Sequence, residues 1–232
     1  MLAWLSKTPC FPDPMSADAS GLLAAGGDLS QSRLLEAYRQ GIFPWYAQGE
    51  PILWWSPDPR MVIFPSEFKW SRTLRRQIRR RDFALSLNGA FEQVVRSCAQ
   101  IPRAGQSGTW ITPAMRQAYQ RLHEAGYAHS LEVWKHNELC GGLYGIRLGN
   151  LFFGESMFSK ASNASKLALA ALASPSMELD VIDCQIQSVH LAAMGARAIP
   201  RAQFLRMVRK VRFANKVPWL LPTSQDLFAH VI

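Results

Sequence analysis

Three stretches of alternating apolar and polar residues follow one another with almost nothing between them. No other feature of the chain constrains its fold as much. Ala128 to Trp134 alternates, His136-Asn137 is a polar turn, and Leu139 to Leu148 reads as a second strand. Gly149-Asn150 is a hairpin turn, and Leu151 to Met157 reads as a third strand. Such short connections join antiparallel neighbours, because a parallel pair needs a crossover of about a dozen residues. The flanks supply further elements. Phe83 to Leu87 alternates as a strand, and Ala90 to Gln100 reads as a helix with Phe91, Val94, Val95 and Cys98 on one face. Thr112 followed by Pro113 opens a helix that runs to about Glu124 and closes at Gly126. Asn163 to Ala173 is helical, Leu179 to Gln185 is a short buried strand, and helices follow near Ser188 to Met194 and Arg201 to Val211. The expected class is α+β, a mixed and largely antiparallel sheet with helices packed on it.

The first part of the chain reads differently. Ser30 caps a helix that places Leu34, Leu35 and Tyr38 on one face and stops at Gly41. Around it, Gly41-Ile-Phe-Pro-Trp-Tyr46 and Pro51-Ile-Leu-Trp-Trp-Ser-Pro-Asp-Pro-Arg60 are dense in aromatics and prolines. That density suggests a compact, loop-rich unit and not a regular sheet. The expected organisation is a small N-terminal domain over residues 1–70 and a larger mixed α and β domain over 71–232.

Nearly half of the 232 residues are hydrophobic, so the chain has the material for a sizeable core. No stretch approaches the roughly 20 apolar residues of a membrane span. Met1 to Phe11 is too short for a secretory signal and lacks its layout. A soluble cytoplasmic protein that uses no membrane is expected. Cys10, Cys98, Cys140 and Cys184 form no C-x-x-C pair, and the five histidines include no i,i+4 pair. Neither a disulfide framework nor a metal site is expected.

The formal net charge is +9, which makes polyanions attractive partners. Lys69, Arg72, Arg75, Arg76, Arg79, Arg80 and Arg81 fall within thirteen residues. In a helix Arg72, Arg75, Arg76 and Arg79 share one face, while Leu74 and Ile78 point elsewhere. Like charges at i,i+4 repel, so this face costs stability until an anion neutralises it. The stretch from Cys184 to Gln225 adds seven Lys or Arg and no acid. Together the two regions favour contact with phosphates, although each alone also fits a solvated surface.

Several long blocks are unusual enough to carry a resemblance. They are Gly26-Gly-Asp-Leu29, Gly41-Ile-Phe-Pro-Trp45, Leu53-Trp-Trp-Ser-Pro-Asp-Pro-Arg60, Gly108-Thr-Trp-Ile-Thr112, Gly141-Gly-Leu-Tyr-Gly145, Gly154-Glu-Ser-Met-Phe-Ser159 and Ile182-Asp-Cys-Gln185. In sequence and order they resemble the leucyl/phenylalanyl-tRNA–protein transferases, from about Gly21 to Arg212. The resemblance implies an acetyltransferase-like (GNAT) larger domain and a smaller N-terminal one. It also implies an activity: moving Leu, Phe and less readily Met from aminoacyl-tRNA to proteins that begin with Arg or Lys. In bacteria that addition marks the acceptor for N-end-rule degradation. No cofactor is implied, and a monomer is expected.

The chemistry is attack of an α-amine on an aminoacyl ester. The ester is already activated, and roughly a tenth of an α-amine is neutral near pH 7. Such an enzyme needs to align two substrates and steady developing charge more than it needs a strong base. Asp183 and Gln185 lie two positions apart on one predicted strand and so share a face; the resemblance makes them catalytic. An amide is a poor proton acceptor, so Gln185 is expected to take a hydrogen bond from the attacking amine. Asp183 would hold the Gln or share the positive charge. Read without the resemblance, Asp183 fits better as a cap for the helix near Ser188. Glu155, on the third strand, is expected to pair with the acceptor's cation. By resemblance the aminoacyl pocket is lined by Leu143, Phe152, Met157, Leu169, Leu172 and Ile182, each of which also fits plain core. Trp45, Tyr46 and Trp110 would stack on the terminal adenine or flank the peptide. Arg72, Arg75, Arg76, Arg79 and Arg80 would hold the acceptor stem through its phosphates.

An acetyl-CoA-dependent acetyltransferase is the closest rival on fold. Those enzymes cradle pyrophosphate with a glycine-rich turn, and Phe158 to Lys166 contains no glycine. A non-enzymatic RNA-binding protein would explain the charge but not the acid–amide pair. A nuclease or hydrolase lacks a visible metal cluster or nucleophile–histidine pair.

Overall fold

The computed structural model describes residues 2–101, 109–211, 219–223 and 227–228. Met1, Gly108, Arg212 and Gln225, named above, lie outside the described residues. In chain order the first elements are β1 (Ala3–Leu5), β2 (Leu22–Gly26), α1 (Gln31–Tyr38), β3 (Phe43–Pro44), β4 (Leu53–Trp55), β5 (Arg60–Ile63) and α2 (Arg72–Arg80). Next come β6 (Ala84–Leu87), α3 (Phe91–Gln100), α4 (Pro113–Glu124), β7 (Ala128–Lys135), β8 (Glu138–Leu148) and β9 (Leu151–Ser159). The chain continues through α5 (Ala164–Leu172), β10 (Val181–Gln185), α6 (Val189–Ala192), β11 (Arg197–Ile199) and α7 (Arg201–Val211).

The expected α+β class is observed. Seven strands form one sheet in the order β11-β5-β10-β9-β8-β7-β6; β9 pairs with β10 in parallel, and the other neighbours are antiparallel. The three-strand meander is β7, β8 and β9. His136 and Asn137 both take positive φ (51° and 61°), which suits a two-residue hairpin turn. Local signals explain the helices. Ser30, Ser71 and Thr112 each accept a hydrogen bond from a backbone N–H of the turn they open. Gly145 is required where β8 meets β9, because a Cβ there would lie 2.1 Å from the Phe153 carbonyl oxygen.

Two expectations about the first seventy residues are corrected. This part is not loops alone: β1, β2, β4 and β3 form a second, four-stranded sheet. Its strands are two to five residues long, too short to display a period amid the prolines. Nor do the sheets divide at residue 70. β5 lies upstream of that point, yet it sits inside the large sheet between β10 and β11. All four of its residues are buried, so alternation could not reveal it.

The large sheet is covered on both faces. One core joins the small sheet and α1 to α3, α4 and α7, and includes Tyr38, Trp54, Val94, Tyr119 and Phe204. The other packs α2 and α5 on the opposite face, through residues such as Leu74, Ile78, Leu167 and Leu172.

Candidate active site

β9 and β10 run side by side only from Leu151/Val181 to Phe153/Asp183, and then part. The parting is built into both strands. On β9, Tyr144 faces Ser156 and Gly145 faces Gly154, which leaves Glu155 as the extra residue of a β-bulge. On β10, Asp183 faces Val62 and Gln185 faces Met61, which leaves Cys184 as the extra residue of a second bulge. Bulges re-aim side chains. Here they turn Glu155, Asp183 and Gln185 toward one cavity of about 820 Å³. The shared face expected for Asp183 and Gln185 is thus reached through a bulge and a left-handed Gln185 (φ 64°), and not by simple strand alternation.

Asp183 is fully buried. Arg60 donates to it twice, Nε to Oδ1 at 2.7 Å and Nη2 to Oδ2 at 2.6 Å. The guanidinium carbon lies over the rings of both Phe43 and Phe204, 4.8 and 4.5 Å from their centroids. A planar cation can pack against aromatic rings in this way and still serve a carboxylate in its plane. The Gln185 backbone N–H donates to Asp183 Oδ1 at 2.9 Å. Asp183 therefore holds the turn that presents Gln185. It does not cap α6, whose first turn is capped by Ser188.

Glu155 has different surroundings. Gln185 Nε2 donates to its Oε1 at 2.9 Å, the Tyr38 hydroxyl oxygen lies 2.8 Å from Oε1, and the Tyr119 hydroxyl oxygen lies 2.7 Å from Oε2. The two phenol oxygens are 2.6 Å apart. Burial pushes the Glu155 carboxyl up to about 7, the Tyr119 and Tyr38 hydrogen bonds draw it down, the Asp183 charge raises it, and Arg60 lowers it. Burial, and then the Glu155 charge, push both phenols well above their ordinary value. Burial also raises the Cys184 thiol, which lines the same cavity.

All six expected pocket residues, Leu143, Phe152, Met157, Leu169, Leu172 and Ile182, line the cavity with Asp183, Gln185 and Glu155. Trp45 and Trp110 line it too. Tyr46 does not; its hydroxyl lies 3.4 Å from Thr112 Oγ1. The arginines of α2 are outside the cavity. Arg72, Arg76, Arg79 and Arg80 are exposed, and Arg75 is half-buried with Nε donating to the Trp70 carbonyl. α2 still abuts the segment that opens α5, for Gln77 Nε2 donates to the Ser162 carbonyl at 3.3 Å. Sequence reasoning missed Arg60, Tyr38 and Tyr119. Arg60 was part of a block read as loop, and both tyrosines fit ordinary helix core. A buried hydroxyl that needs a partner was the one signal available. Among the described residues, no group of three His, Cys, Asp or Glu is placed to hold a metal ion, and no helix is long and apolar enough to cross a membrane.

Comparison with known proteins gives a consistent result. The family model described as leucyl/phenylalanyl-tRNA protein transferase matches residues 62–209, and that of its N-terminal domain matches residues 27–58. The leucyl/phenylalanyl-tRNA–protein transferase of Desulfatibacillum aliphaticivorans is 53% identical over 208 residues, 89% of either chain. That of Paraburkholderia xenovorans (strain LB400) is 50% identical over 231 residues, 95% of this chain and 94% of the relative. Among solved structures, a GCN5-related N-acetyltransferase from Kribbella flavida aligns with a TM-score of 0.35 at 6% identity, over 68% of this chain and 56% of that one. Matched by both domain models and half-identical to curated members over nearly its whole length, the chain belongs to the leucyl/phenylalanyl-tRNA–protein transferase family.

Proposed function

We propose that the cavity holds the aminoacyl end of Leu-tRNA or Phe-tRNA, and less readily Met-tRNA, against the α-amine of a protein that begins with Arg or Lys. Transfer forms the peptide bond and frees the tRNA 3′-hydroxyl. The observation that carries this reading is the cavity itself: one apolar pocket opens onto an acid, an amide and a second acid. Leu143, Phe152, Met157, Leu169, Leu172 and Ile182 take the aminoacyl side chain. Shape excludes poor fits at about 1–3 kcal/mol per misplaced methylene. Gln185 commits its amide nitrogen to Glu155, which leaves its carbonyl oxygen to accept from the attacking amine. Asp183 sets the Gln185 backbone, and Arg60 already occupies both of its oxygens. This supports a positioning role for Asp183 over proton transfer. Glu155 receives the acceptor's cationic side chain.

Trp45 and Trp110 flank the cavity and suit stacking on the terminal adenine. Tyr46 supports this wall from outside. The exposed arginines of α2 take acceptor-stem phosphates, and the family models' separation near residue 60 supports an N-terminal unit shorter than seventy residues. The chain acts as a monomer. A charged-tRNA donor fits a cytoplasmic enzyme that feeds N-end-rule degradation.

The test is transfer of labelled Leu or Phe from tRNA to a peptide beginning with Arg, set against the same peptide beginning with Ala. Label in the first and not the second is expected, with single-turnover rates down at least tenfold in Gln185→Ala and Asp183→Ala. No transfer to either peptide, or near-normal rates in both variants, defeats the reading.

A further inference from the structure

Three oxygen–oxygen contacts close a triangle at Glu155: Tyr38 to Oε1 at 2.8 Å, Tyr119 to Oε2 at 2.7 Å, and Tyr38 to Tyr119 at 2.6 Å. Each needs a proton between its oxygens. If the carboxylate is ionised, the two phenols supply only two protons. When both donate to Glu155, the phenol oxygens face each other with lone pairs alone. When one donates to the other phenol, a phenol oxygen faces a carboxylate oxygen bare. Neither arrangement is tenable at these distances in a buried site, where an unfilled polar contact carries its full cost. A third proton fills the triangle.

We propose that Glu155 carries this third proton in the acceptor-free site, closing a ring with Tyr38 and Tyr119, and releases it when the cationic side chain of an acceptor's first residue binds. The release rests on the reading of Glu155 as the acceptor's partner; the ring does not. Gln185 Nε2 already donates to Oε1, which makes Oε1 the better carbonyl oxygen. The proton therefore sits on Oε2 and points at Tyr119; Tyr119 then donates to Tyr38, and Tyr38 to Oε1. The two tyrosines are positioning residues that act through Glu155.

The surroundings agree. α1 presents Tyr38 to Glu155, α4 presents Tyr119, β10 presents Asp183 and Gln185, and β5 presents Arg60, with Tyr144 of β8 facing the phenols. Asp183 spends the Arg60 charge, so an ionised Glu155 leaves the cavity floor with an unbalanced negative charge. A carboxyl raised to about 7 matches that cost. An incoming guanidinium or ammonium ion supplies the missing positive charge, and the ring proton leaves to solvent. One positive charge replaces another, so the net charge of the site is unchanged.

Two measurements test the proposal. Infrared spectra of the free enzyme at pH 6 should contain the C=O band of a neutral carboxylic acid that Glu155→Gln lacks. Tyr38→Phe should move that band to higher wavenumber, because one of two donors on the carbonyl oxygen is gone. A merely structural tyrosine would not shift it. Next, an Arg-headed peptide is titrated calorimetrically in two buffers of different ionisation enthalpy. At pH 6 the peptide amine, with a pKa near 8, stays charged, and the wild type should release close to one proton more than Glu155→Gln. At pH 8 the difference should fall to roughly a tenth, given a midpoint of about 7. Absence of the band overturns the ring and leaves the acceptor reading standing. A band accompanied by equal proton counts overturns the coupling, and with it the assignment of Glu155 to the acceptor.

Discussion

β9 and β10 each carry a buried carboxylate to the same cavity, and each does so at a bulge. On the β10 side Asp183 meets a permanent cation in bidentate geometry, walled by two rings. On the β9 side Glu155 meets an amide and two phenols, none of them charged. Burial costs both ions several kcal/mol. Only the first is compensated by an opposite charge. The comparison teaches that hydrogen-bond count does not fix the state of a buried acid; the charge of its partners does. Asp183 is framework, and Glu155 is left able to change.

Breaking the compensated side should have the largest effect. Arg60→Met strips Asp183 of its cation and should cost about 3–5 kcal/mol of stability, read by urea unfolding at pH 7.5. A loss under about 1 kcal/mol would remove the distinction between the two acids. On the other side the effect depends on pH. Glu155 titrates near 7 when folded against an ordinary 4.5, so the folded protein holds the proton over that window and the unfolded chain does not. Stability therefore falls as pH rises from 4.5 to 7, by about 3 kcal/mol from this group alone. Glu155→Gln should flatten that part of the pH–stability profile, and an unchanged profile would place the titration elsewhere. The smallest stability effect belongs to charges that never leave water. Arg76→Glu with Arg79→Glu should change stability by only about 0.5 kcal/mol. The same pair should weaken aminoacyl-tRNA binding and lower its salt slope by about one for each phosphate that is no longer neutralised. Equal slopes would take α2 out of the tRNA interface.

What could be read in the sequence follows from how local each signal is. The meander needs only alternation and two short turns, so β7, β8 and β9 were legible from Ala128 onward. Helices opened by Ser30 and Thr112 were legible because cap and periodicity lie within a few residues of each other. β5 was not, since four buried residues in a row have no period, and its partners β10 and β11 lie more than a hundred residues away in the chain. The six residues expected in the pocket came from the resemblance, and all six line one cavity. Arg60 escaped for a physical reason. An arginine among prolines reads as surface loop until the fold supplies Asp183 and the two rings. Tyr38 and Tyr119 come from helices 81 residues apart, and nothing short of their packing brings the hydroxyls together.

The setting of Arg60 bears on how the protein can be dissected. Phe43 belongs to the small sheet, Arg60 to the large one, Phe204 to α7, and the carboxylate that Arg60 grips to β10. A deletion that removes the first fifty residues takes away one wall of this stack and admits water to a pair that depends on being dry. The amino-terminal segment is thus no detachable appendage. An expression truncation, or a chimera spliced near residue 60, would have to import a matching ring to keep this pair dry.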